Sequence, residues 1–219
     1  MNPPPELITN FVHCCLGKQS LESNGVRISQ RGEIRLGPTK PWMPFCAEQT
    51  MSAASVEFRW RAQFRMAGFI PGSVVDCFEN GHGALDAWLC GLVRVAHARG
   101  PKVDRSEAQR YIAELAWCPM AFVQNESLCF EERSENEVRV SVIDDETYVD
   151  LQFDDNGDIV RAQTLTRFRG DELQPWEGRF ENYRDFGSLR LPSDAEVAWD
   201  APEGRFIYWR GKIVDATLL

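Results

Sequence analysis

The chain has 219 residues, and its 33 acidic and 24 basic residues give a formal net charge of −9. An acidic balance of this kind repels phosphate backbones, so the composition argues against a nucleic-acid partner. Hydrophobic residues make up 43% and aromatic residues 11% of the chain, which excludes a disordered protein and predicts a single domain, residues 1–219, with a sizeable core. No run approaches the roughly 20 apolar residues of a membrane span.

The cysteines and histidines indicate neither a disulfide framework nor a metal centre. The seven cysteines are an odd number and include no C-x-x-C pair, which argues against a structural zinc site. The three histidines, His13, His82 and His97, are too scattered for a histidine-based site. We therefore expect no metal and no cofactor. Because no basic region followed by an apolar run opens the chain, we also expect a reducing, cytoplasmic compartment.

The first elements in the chain are a short helix and an interrupted strand. Glu6–Leu16 places its apolar residues at helical spacing and Gly17 offers a stop, which predicts an N-terminal helical segment over residues 1–17. Val26–Leu36 alternates around Arg31-Gly32, a pattern typical of either a strand pair or one strand broken by a bulge.

Strands dominate the next part of the sequence. Lys40–Met51 contains two prolines and is predicted to be an ordered loop with aromatic anchors. Val56–Met66 alternates strictly, with one apolar face and one face rich in arginine, and Ser73–Glu79 follows as the next strand. Ala84–Ala98 is mostly apolar and its periodicity fits helix or strand; Gly91 in its middle favours a strand.

Asp104–Met120 predicts the main helix, whose body covers residues 104–118. Asp104 and Glu107 have the spacing of a capping box, and Pro119 ends the helix. An apolar stripe at helical spacing is formed by Ala108, Tyr111, Ile112, Leu115 and Ala116.

The remainder of the chain is predicted to be a β-meander. Its strand-like runs are Ser127–Phe130, Val138–Ile143, Tyr148–Phe153, Ile159–Phe168, Phe180–Phe186, Glu196–Asp200 and Arg205–Val214. The fold class is therefore α+β and mainly β. We expect one strongly curved antiparallel sheet, a half-barrel of about eight to ten strands over residues 26–219, which wraps the helix because an isolated helix must bury its apolar face.

Phosphate loops, dinucleotide fingerprints, G-x-S-x-G elbows and H-E-x-x-H pairs are all absent from the sequence. The first candidate pair is Arg110 and Glu114, which meet on one helix face because they are four residues apart. Spacing alone leaves two interpretations open: an ordinary surface ion pair, or a poised acid/base or substrate anchor on the concave side of the sheet.

Two further groups of charged residues are candidates. Asp76 precedes a glycine loop that carries His82, whose near-neutral pKa suits proton transfer, although a solvated turn explains the same pattern. Arg59 and Arg61 share one strand face and could clamp a carboxylate, although an outward row of arginines is the commoner arrangement. The seven tryptophans could line a cavity for an apolar or aromatic ligand, or could simply form the core.

Segments distributed along nearly the whole chain resemble a bacterial family catalogued only as a domain of unknown function. They are Trp42–Gln49, Phe58–Ala62, Asp76 with Gly81–Gly83, Arg110–Phe122, Pro175–Trp176, Leu189–Trp199 and Phe206–Ile213. The most specific motif is R-Y-x-A-E-x-x-W-x-P, which begins at Arg110 and ends at Pro119. The resemblance implies a curved half-barrel similar to folds that hold lipids or other apolar ligands, and it implies no established reaction. It favours a site on the helix.

Our first hypothesis is an enzyme that binds a small hydrophobic or aromatic substrate and performs cofactor-free acid/base chemistry. In it Glu114 is the acid or base, Arg110 orients it, Asp76 or His82 carries the second proton, and Tyr111 donates to an oxyanion. The predicted substrate-binding residues are Trp60, Trp88, Trp117, Arg59, Trp176 and Tyr208.

Two alternatives remain open at this stage. One is a non-catalytic carrier or sensor of an apolar ligand, with the tryptophans as walls. The other is a protein-interaction module that uses the arginine face at Arg59, Arg61 and Arg65. The sequence leaves the oligomeric state open.

Overall fold

The computed structural model describes residues 3–16, 22–142, 144–201 and 204–219. The helices are α1 (Glu6–Cys15), α2 (Pro101–Ala113), a 3-10 turn at Glu114–Trp117, and α3 (Ala121–Gln124). The strands are β1 (Gly25–Ile34), β2 (Met43–Ser52), β3 (Phe58–Met66), β4 (Ile70–Glu79), β5 (His82–Leu89), β6 (Val93–Ala98), β7 (Cys129–Ser134), β8 (Glu137–Val142), β9 (Asp144–Phe153), β10 (Ile159–Arg169), β11 (Glu172–Phe186), β12 (Leu189–Ala201) and β13 (Gly204–Leu218).

Within the described ranges, all thirteen strands belong to one antiparallel sheet with the order β6-β5-β4-β3-β2-β1-β13-β12-β11-β10-β9-β8-β7. The pairing of β1 with β13 joins the N-terminal and C-terminal halves in the middle of the sheet. The edge strands β6 and β7 stand on either side of the helical segment in sequence. The helical segment therefore connects the two opposite edges. The predicted mainly β, antiparallel architecture is confirmed.

Local sequence explains several of these elements directly. The alternation of β3 buries Phe58, Trp60 and Ala62 and leaves the intervening arginines less covered, as predicted. The N-terminal helix is also confirmed, with its buried residues on one face. The predicted stop at Gly17 and the predicted strand end at Ile143 lie outside the described residues. None of the helices in the described part of the chain is long and apolar enough to cross a membrane.

Two predictions for the first half of the chain are wrong. The expected loop at Lys40–Met51 is mostly strand β2, and its proline is tolerated because Pro44 pairs with β1 only, before β2 begins to pair with β3 at Phe45. The single strand expected over Ala84–Ala98 is the hairpin β5–β6, because Cys90 and Gly91 both take positive φ values (51° and 67°) and reverse the chain.

The start of the main helix also differs from the prediction. Helix α2 begins at Pro101, since a proline in the first turn has no backbone N–H to leave unpaired. Asp104 therefore lies inside the helix and caps nothing; its Oδ1 instead accepts a hydrogen bond from the backbone N–H of Gly83, at 2.7 Å. Glu107 is buried and makes no capping contact. The predicted capping box is thus replaced by a contact that fixes α2 on β5.

We expect Gly83→Ala to lower the free energy of unfolding by roughly 1–3 kcal/mol, because a Cβ at this position would lie 2.7 Å from the carbonyl oxygen of Val103 in α2. Urea unfolding of the variant measures the effect. Gly178→Ala is the matched control, since its Cβ would have no neighbour closer than 3.6 Å. Equal stability of the two variants would contradict a close approach of α2 to β5.

Strand β10 contains an irregularity that decides which side chains point inward. Thr164 is buried and Leu165 is exposed, and between Thr164 and Arg167 the register against β11 shifts. Such a β-bulge reverses the in/out alternation. Arg167, which strict alternation would place on the same face as Leu165, is buried as a result.

Candidate functional site

A cavity of about 960 Å³ lies between α2 and the sheet. Its volume is at the upper end of the range of about 300–1,000 Å³ that is usual for small-molecule sites. Strands β3 and β5 contribute every second residue, so the apolar face of β3 is the one that faces the cavity. The apolar lining includes Ile34, Met43, Phe45, Ala62, Phe64, Val74, Leu85, Ala87, Leu89, Phe180, Val197, Trp199 and Trp209.

The wall formed by α2 carries a buried ionic cluster centred on Arg110. Arg110 Nη1 lies 2.5 Å from Asp76 Oδ2, and Arg110 Nε lies 2.8 Å from Glu114 Oε1. Glu114 Oε2 accepts a hydrogen bond from Gln49 Nε2 at 2.5 Å. The guanidinium also lies 4.8 Å from the ring centroid of Phe58. The side chains of Arg110 and Glu114 are only 14% and 15% exposed, so the pair is buried and is no ordinary surface ion pair.

Two carboxyl groups at the cavity wall share a low-dielectric environment. Burial raises the pKa of Asp76, against the opposing effect of the Arg110 guanidinium. Burial and then the charge of Asp76 raise the pKa of Glu107 to about 8. The two carboxyls lie within hydrogen-bond range of each other, and among the described residues Asp76 Oδ1 and Glu107 Oε2 have no donor. Two neighbouring like charges in a low-dielectric wall cannot both ionise cheaply, so the pair favours a state that holds one proton.

A second guanidinium, that of Arg167, stands beside this pair. Its Nη2 is 3.7 Å from Glu107 Oε1, beyond hydrogen-bond distance, and its Cζ lies 4.7 Å from the ring centroid of Trp176. Its Nη1 is buried and has no hydrogen-bond partner among the described residues. Arg167 lines the cavity.

Four of the six predicted substrate-binding residues line the cavity: Trp60, Trp117, Trp176 and Tyr208. Trp176 Nε1 donates to the Tyr208 hydroxyl oxygen at 3.0 Å, and Trp117 Nε1 donates to the carbonyl oxygen of Pro192 at 3.1 Å. These bonds hold the two indoles in fixed orientations.

Three other predicted site residues, Arg59, Trp88 and His82, do not line the cavity. Residues next to Arg59 and Trp88 in sequence line the cavity, and side chains alternate along a strand, so Arg59 and Trp88 lie on the opposite face of the sheet. There Arg59 pairs with Glu79, with Nε 2.8 Å from Oε1. His82 is exposed in the β4–β5 turn, and its Nδ1 lies 3.7 Å from Asp104 Oδ2. It is therefore no neighbour of Glu114.

Tyr111 also lies outside the cavity lining, in the core behind α2. Its hydroxyl donates to the carbonyl oxygen of Ser52 at 2.9 Å and accepts from Asn125 Nδ2 at 3.1 Å. Burial raises the pKa of Tyr111 well above its usual value. The hydroxyl is bonded within the core and does not line the cavity, so it is not placed to contact a bound ligand.

We expect Tyr111→Phe to reduce the free energy of unfolding by about 1–2 kcal/mol, because the carbonyl of Ser52 and the amide of Asn125 lose a buried partner. Ligand affinity should be unchanged. Chemical denaturation together with ligand titration measures both quantities. A variant of normal stability that has lost ligand binding would contradict this structural role.

Sequence reasoning missed Glu107, Gln49 and Arg167 as members of the site. Glu107 could have been predicted as a site residue from the helical pattern, since Glu107, Arg110 and Glu114 follow the i, i+3, i+7 spacing of one helix face. Gln49 and Arg167 carry no such signal, because the first lay in a predicted loop and the second follows a bulge. In the described part of the chain no group of three His, Cys, Asp or Glu side chains is arranged to hold a metal ion.

Solved structures of three bacterial proteins share this fold. A LolA superfamily protein from Nitrosomonas europaea has a TM-score of 0.55 at 10% identity, with 100% of this chain and 94% of that chain covered. A DUF1329 family protein from Desulfovibrio piger has a TM-score of 0.56 at 11% identity, with the same coverage. A domain from Vibrio parahaemolyticus described as an outer membrane lipoprotein-sorting protein has a TM-score of 0.52 at 10% identity, covering 96% and 90%.

These identities are low, so the similarity shows the fold. In sequence, no curated protein matches the chain. The profile of a family of unknown function, DUF6544, matches residues 2–211. The resemblance seen in the sequence motifs is thereby confirmed, and the chain belongs to the DUF6544 family.

Proposed function

We propose that this protein is a non-catalytic carrier or sensor that binds an apolar chain in the cavity between α2 and the sheet. The observation that carries the proposal is the cavity itself: about 960 Å³, lined mostly by aliphatic and aromatic side chains. Burial of a ligand's apolar surface yields about 25 cal/mol per Å², so a cavity of this kind favours ligands with long hydrocarbon segments.

The proposed shape is a half-barrel that wraps α2. Strands β4 and β10 are seven spacings apart in the sheet order, which in a flat sheet would be roughly 34 Å at about 4.8 Å per spacing. Yet α2, a helix about 10–12 Å wide, contacts both: Arg110 binds Asp76 on β4, and Gln109 Nε2 donates to Thr166 Oγ1 on β10 at 2.9 Å. Strong curvature of the sheet accounts for both contacts.

The comparisons support the same reading. One of the proteins with this fold is described as sorting lipoproteins, and an apolar chain as ligand agrees with that description. The geometry of Glu114 also favours a carrier over our first hypothesis. Both of its carboxylate oxygens already accept a hydrogen bond, one from Arg110 Nε and one from Gln49 Nε2, which supports a structural role for this carboxylate.

Cofactor-free acid/base chemistry is the second candidate. The proton-sharing pair Asp76 and Glu107 favours it, because a carboxyl with a raised pKa at a cavity wall can exchange a proton with a ligand. The two candidates differ in what happens to a bound molecule. A carrier returns its ligand unchanged, whereas an enzyme releases a product that mass spectrometry detects.

The test is a cavity-filling substitution. Binding of the neutral fluorophore N-phenyl-1-naphthylamine, and its displacement by dodecan-1-ol, should be seen with the wild type. Ala87→Trp places an indole in the cavity and is expected to weaken both by at least about tenfold. Val75→Trp on the neighbouring strand is the matched control, because Val75 does not line the cavity.

Absence of binding to the wild type, or equal binding by both variants, would contradict the carrier proposal. The variant Asp76→Asn distinguishes the two candidate functions. In a carrier, the variant keeps the wild-type affinity for dodecan-1-ol. In an enzyme, the variant loses turnover of the substrate. Native mass spectrometry of the freshly purified protein then identifies any ligand that it retains.

We also propose a reducing, cytoplasmic location, as the cysteine pattern predicts. The seven cysteines are free thiols, which supports the proposal. Fractionation of cells that produce the protein tests it: recovery outside the cytoplasm would contradict it.

A further inference from the structure

Arg167 is a buried cation that is incompletely hydrogen-bonded within the described part of the chain. Its side chain is 8% exposed, its Nη1 has no acceptor among the described residues, and the nearest carboxylate oxygen of its ion-pair neighbour Glu107 is 3.7 Å from Nη2. A buried charge left in this state is costly, because desolvation is not offset by hydrogen bonds. A bound anion at Nη1 would remove that cost.

A β-bulge in β10 places the side chain of Arg167 on the cavity side of the sheet. The bulge between Thr164 and Arg167 reverses the alternation of β10, and without it the guanidinium would lie on the outer face. Trp176 on β11 lies under the guanidinium and limits its movement, with 4.7 Å between Cζ and the ring centroid.

A second donor stands beside Arg167. The Tyr208 hydroxyl accepts from Trp176 Nε1 at 3.0 Å, so its own proton remains available, and no described residue accepts that proton. Tyr208 lines the same cavity. Both groups contact Trp176, the guanidinium at 4.7 Å from the ring centroid and the hydroxyl at 3.0 Å from Nε1, so they stand on the same part of the cavity wall.

The other charges of the buried cluster around Arg110 sum to one negative charge. Arg110 is bound by Asp76 and Glu114, and the proton shared by Asp76 and Glu107 removes one of the three negative charges. The guanidinium of Arg167 then completes a neutral cluster in which no carboxylate oxygen lies within hydrogen-bond distance of it. Arg167 can accept an outside anion without breaking an existing hydrogen bond.

We infer that the cavity binds a single-chain amphiphile with a carboxylate head, such as a long-chain fatty acid, and that Arg167 Nη1 and the Tyr208 hydroxyl hold the head. The inference rests on the proposed function, whose cavity takes the hydrocarbon tail. A carboxylate fits because guanidinium groups bind this planar monoanion well. A phosphate monoester would bring a second negative charge into an apolar space next to Glu107.

The experiment compares three ligands of equal chain length, dodecanoate, dodecan-1-ol and dodecylamine, by calorimetric titration into the full-length protein. We expect the wild type to bind dodecanoate at least about tenfold more tightly than dodecan-1-ol, and dodecylamine the least tightly. Arg167→Gln should abolish the preference for dodecanoate and leave the Kd for dodecan-1-ol within about twofold.

Two further variants locate the effect. Tyr208→Phe should lose about three- to fivefold of the preference, since one neutral hydrogen bond is removed. Arg161→Gln is the matched control on the same strand, because Arg161 does not line the cavity and its Nη2 donates to Gln163 at 2.6 Å. This control should retain the full preference for dodecanoate.

The possible failures are distinguishable. If the wild type binds none of the three ligands, the proposed function fails together with this inference. If dodecan-1-ol or dodecylamine binds as tightly as dodecanoate, or if the preference survives in Arg167→Gln, only the carboxylate site is overturned.

A measurement on the wild type avoids any dependence on variant folding. The carboxyl carbon of dodecanoate labelled with ¹³C reports its own ionisation by NMR. A head group held by Arg167 should have a lower pKa when bound than when free, because the guanidinium stabilises the carboxylate. A raised pKa in the bound state would overturn the assignment.

Discussion

Replacing Arg110 with methionine is expected to lower the free energy of unfolding by about 3–5 kcal/mol. The methionine retains much of the hydrocarbon stem but removes the cation that both Asp76 and Glu114 contact, at 2.5 Å and 2.8 Å. Asp76 and Glu114 would then be buried without the cation that pairs with them. Urea unfolding followed by tryptophan fluorescence measures the loss.

The control is Arg105→Met on the same helix. Arg105 pairs with Glu146, whose side chain is 69% exposed, so its removal should cost at most about 1 kcal/mol. Adding Asp76→Asn and Glu114→Gln to Arg110→Met should restore part of the stability, since the unpaired charges disappear. If Arg110→Met were no more destabilising than Arg105→Met, the cluster would not be buried in solution.

Stability is expected to fall with rising pH because of Glu107. The pKa of this carboxyl rises on folding from its ordinary value of 4.5 to about 8, so the folded state binds more protons than the unfolded state in this interval. The resulting stabilisation is complete below about pH 4.5 and is lost as the pH rises through 8. From about pH 5 to 8.5 we expect the wild type to lose roughly 2–4 kcal/mol relative to Glu107→Gln.

Glutamine suits this test because its amide can donate to Asp76, as the protonated carboxyl does, and never ionises. The groups that face Glu107 are Asp76, Arg110 and Glu114, together with Arg167 and Tyr208.

Unfolding is measured at several pH values for the wild type, Glu107→Gln and Glu146→Gln. His82 and His97, which contact Asp104 and Asp86, are the same in all three proteins, so their contribution cancels in the difference. Glu146→Gln should follow the wild type, since Glu146 is exposed. Parallel profiles of wild type and Glu107→Gln would show that Glu107 ionises normally.

The spacing of residues close together in sequence was sufficient to predict some strands and part of the candidate site. Strict alternation in β3 identified the strand and its two faces, because one buried face imposes a period of two. The spacing of Arg110 and Glu114 placed them on one helix face, and four of the six predicted ligand-binding aromatic or charged residues do line the cavity.

Contacts of long range decided the rest. Asp104 and Glu107 have the spacing of a capping box, but Gly83 and Arg167 are their partners, and both partners come from distant strands. Pro41 and Pro44 indicated a loop, whereas Pro44 is tolerated inside β2 at a position where only β1 is paired with it. Arg167 was inaccessible to prediction, since a single bulge moved it to the inner face.

The sheet keeps two unpaired edges, β6 and β7, in the described part of the chain. A closed barrel has its diameter fixed by strand number and stagger, because every strand is hydrogen-bonded on both sides. An open sheet has no such constraint: a small change of twist per strand, summed over twelve pairings, alters the width of the space it encloses without breaking a ladder hydrogen bond. For the proposed carrier this predicts a broad range of bound chain lengths, whereas a closed barrel would select a narrower one.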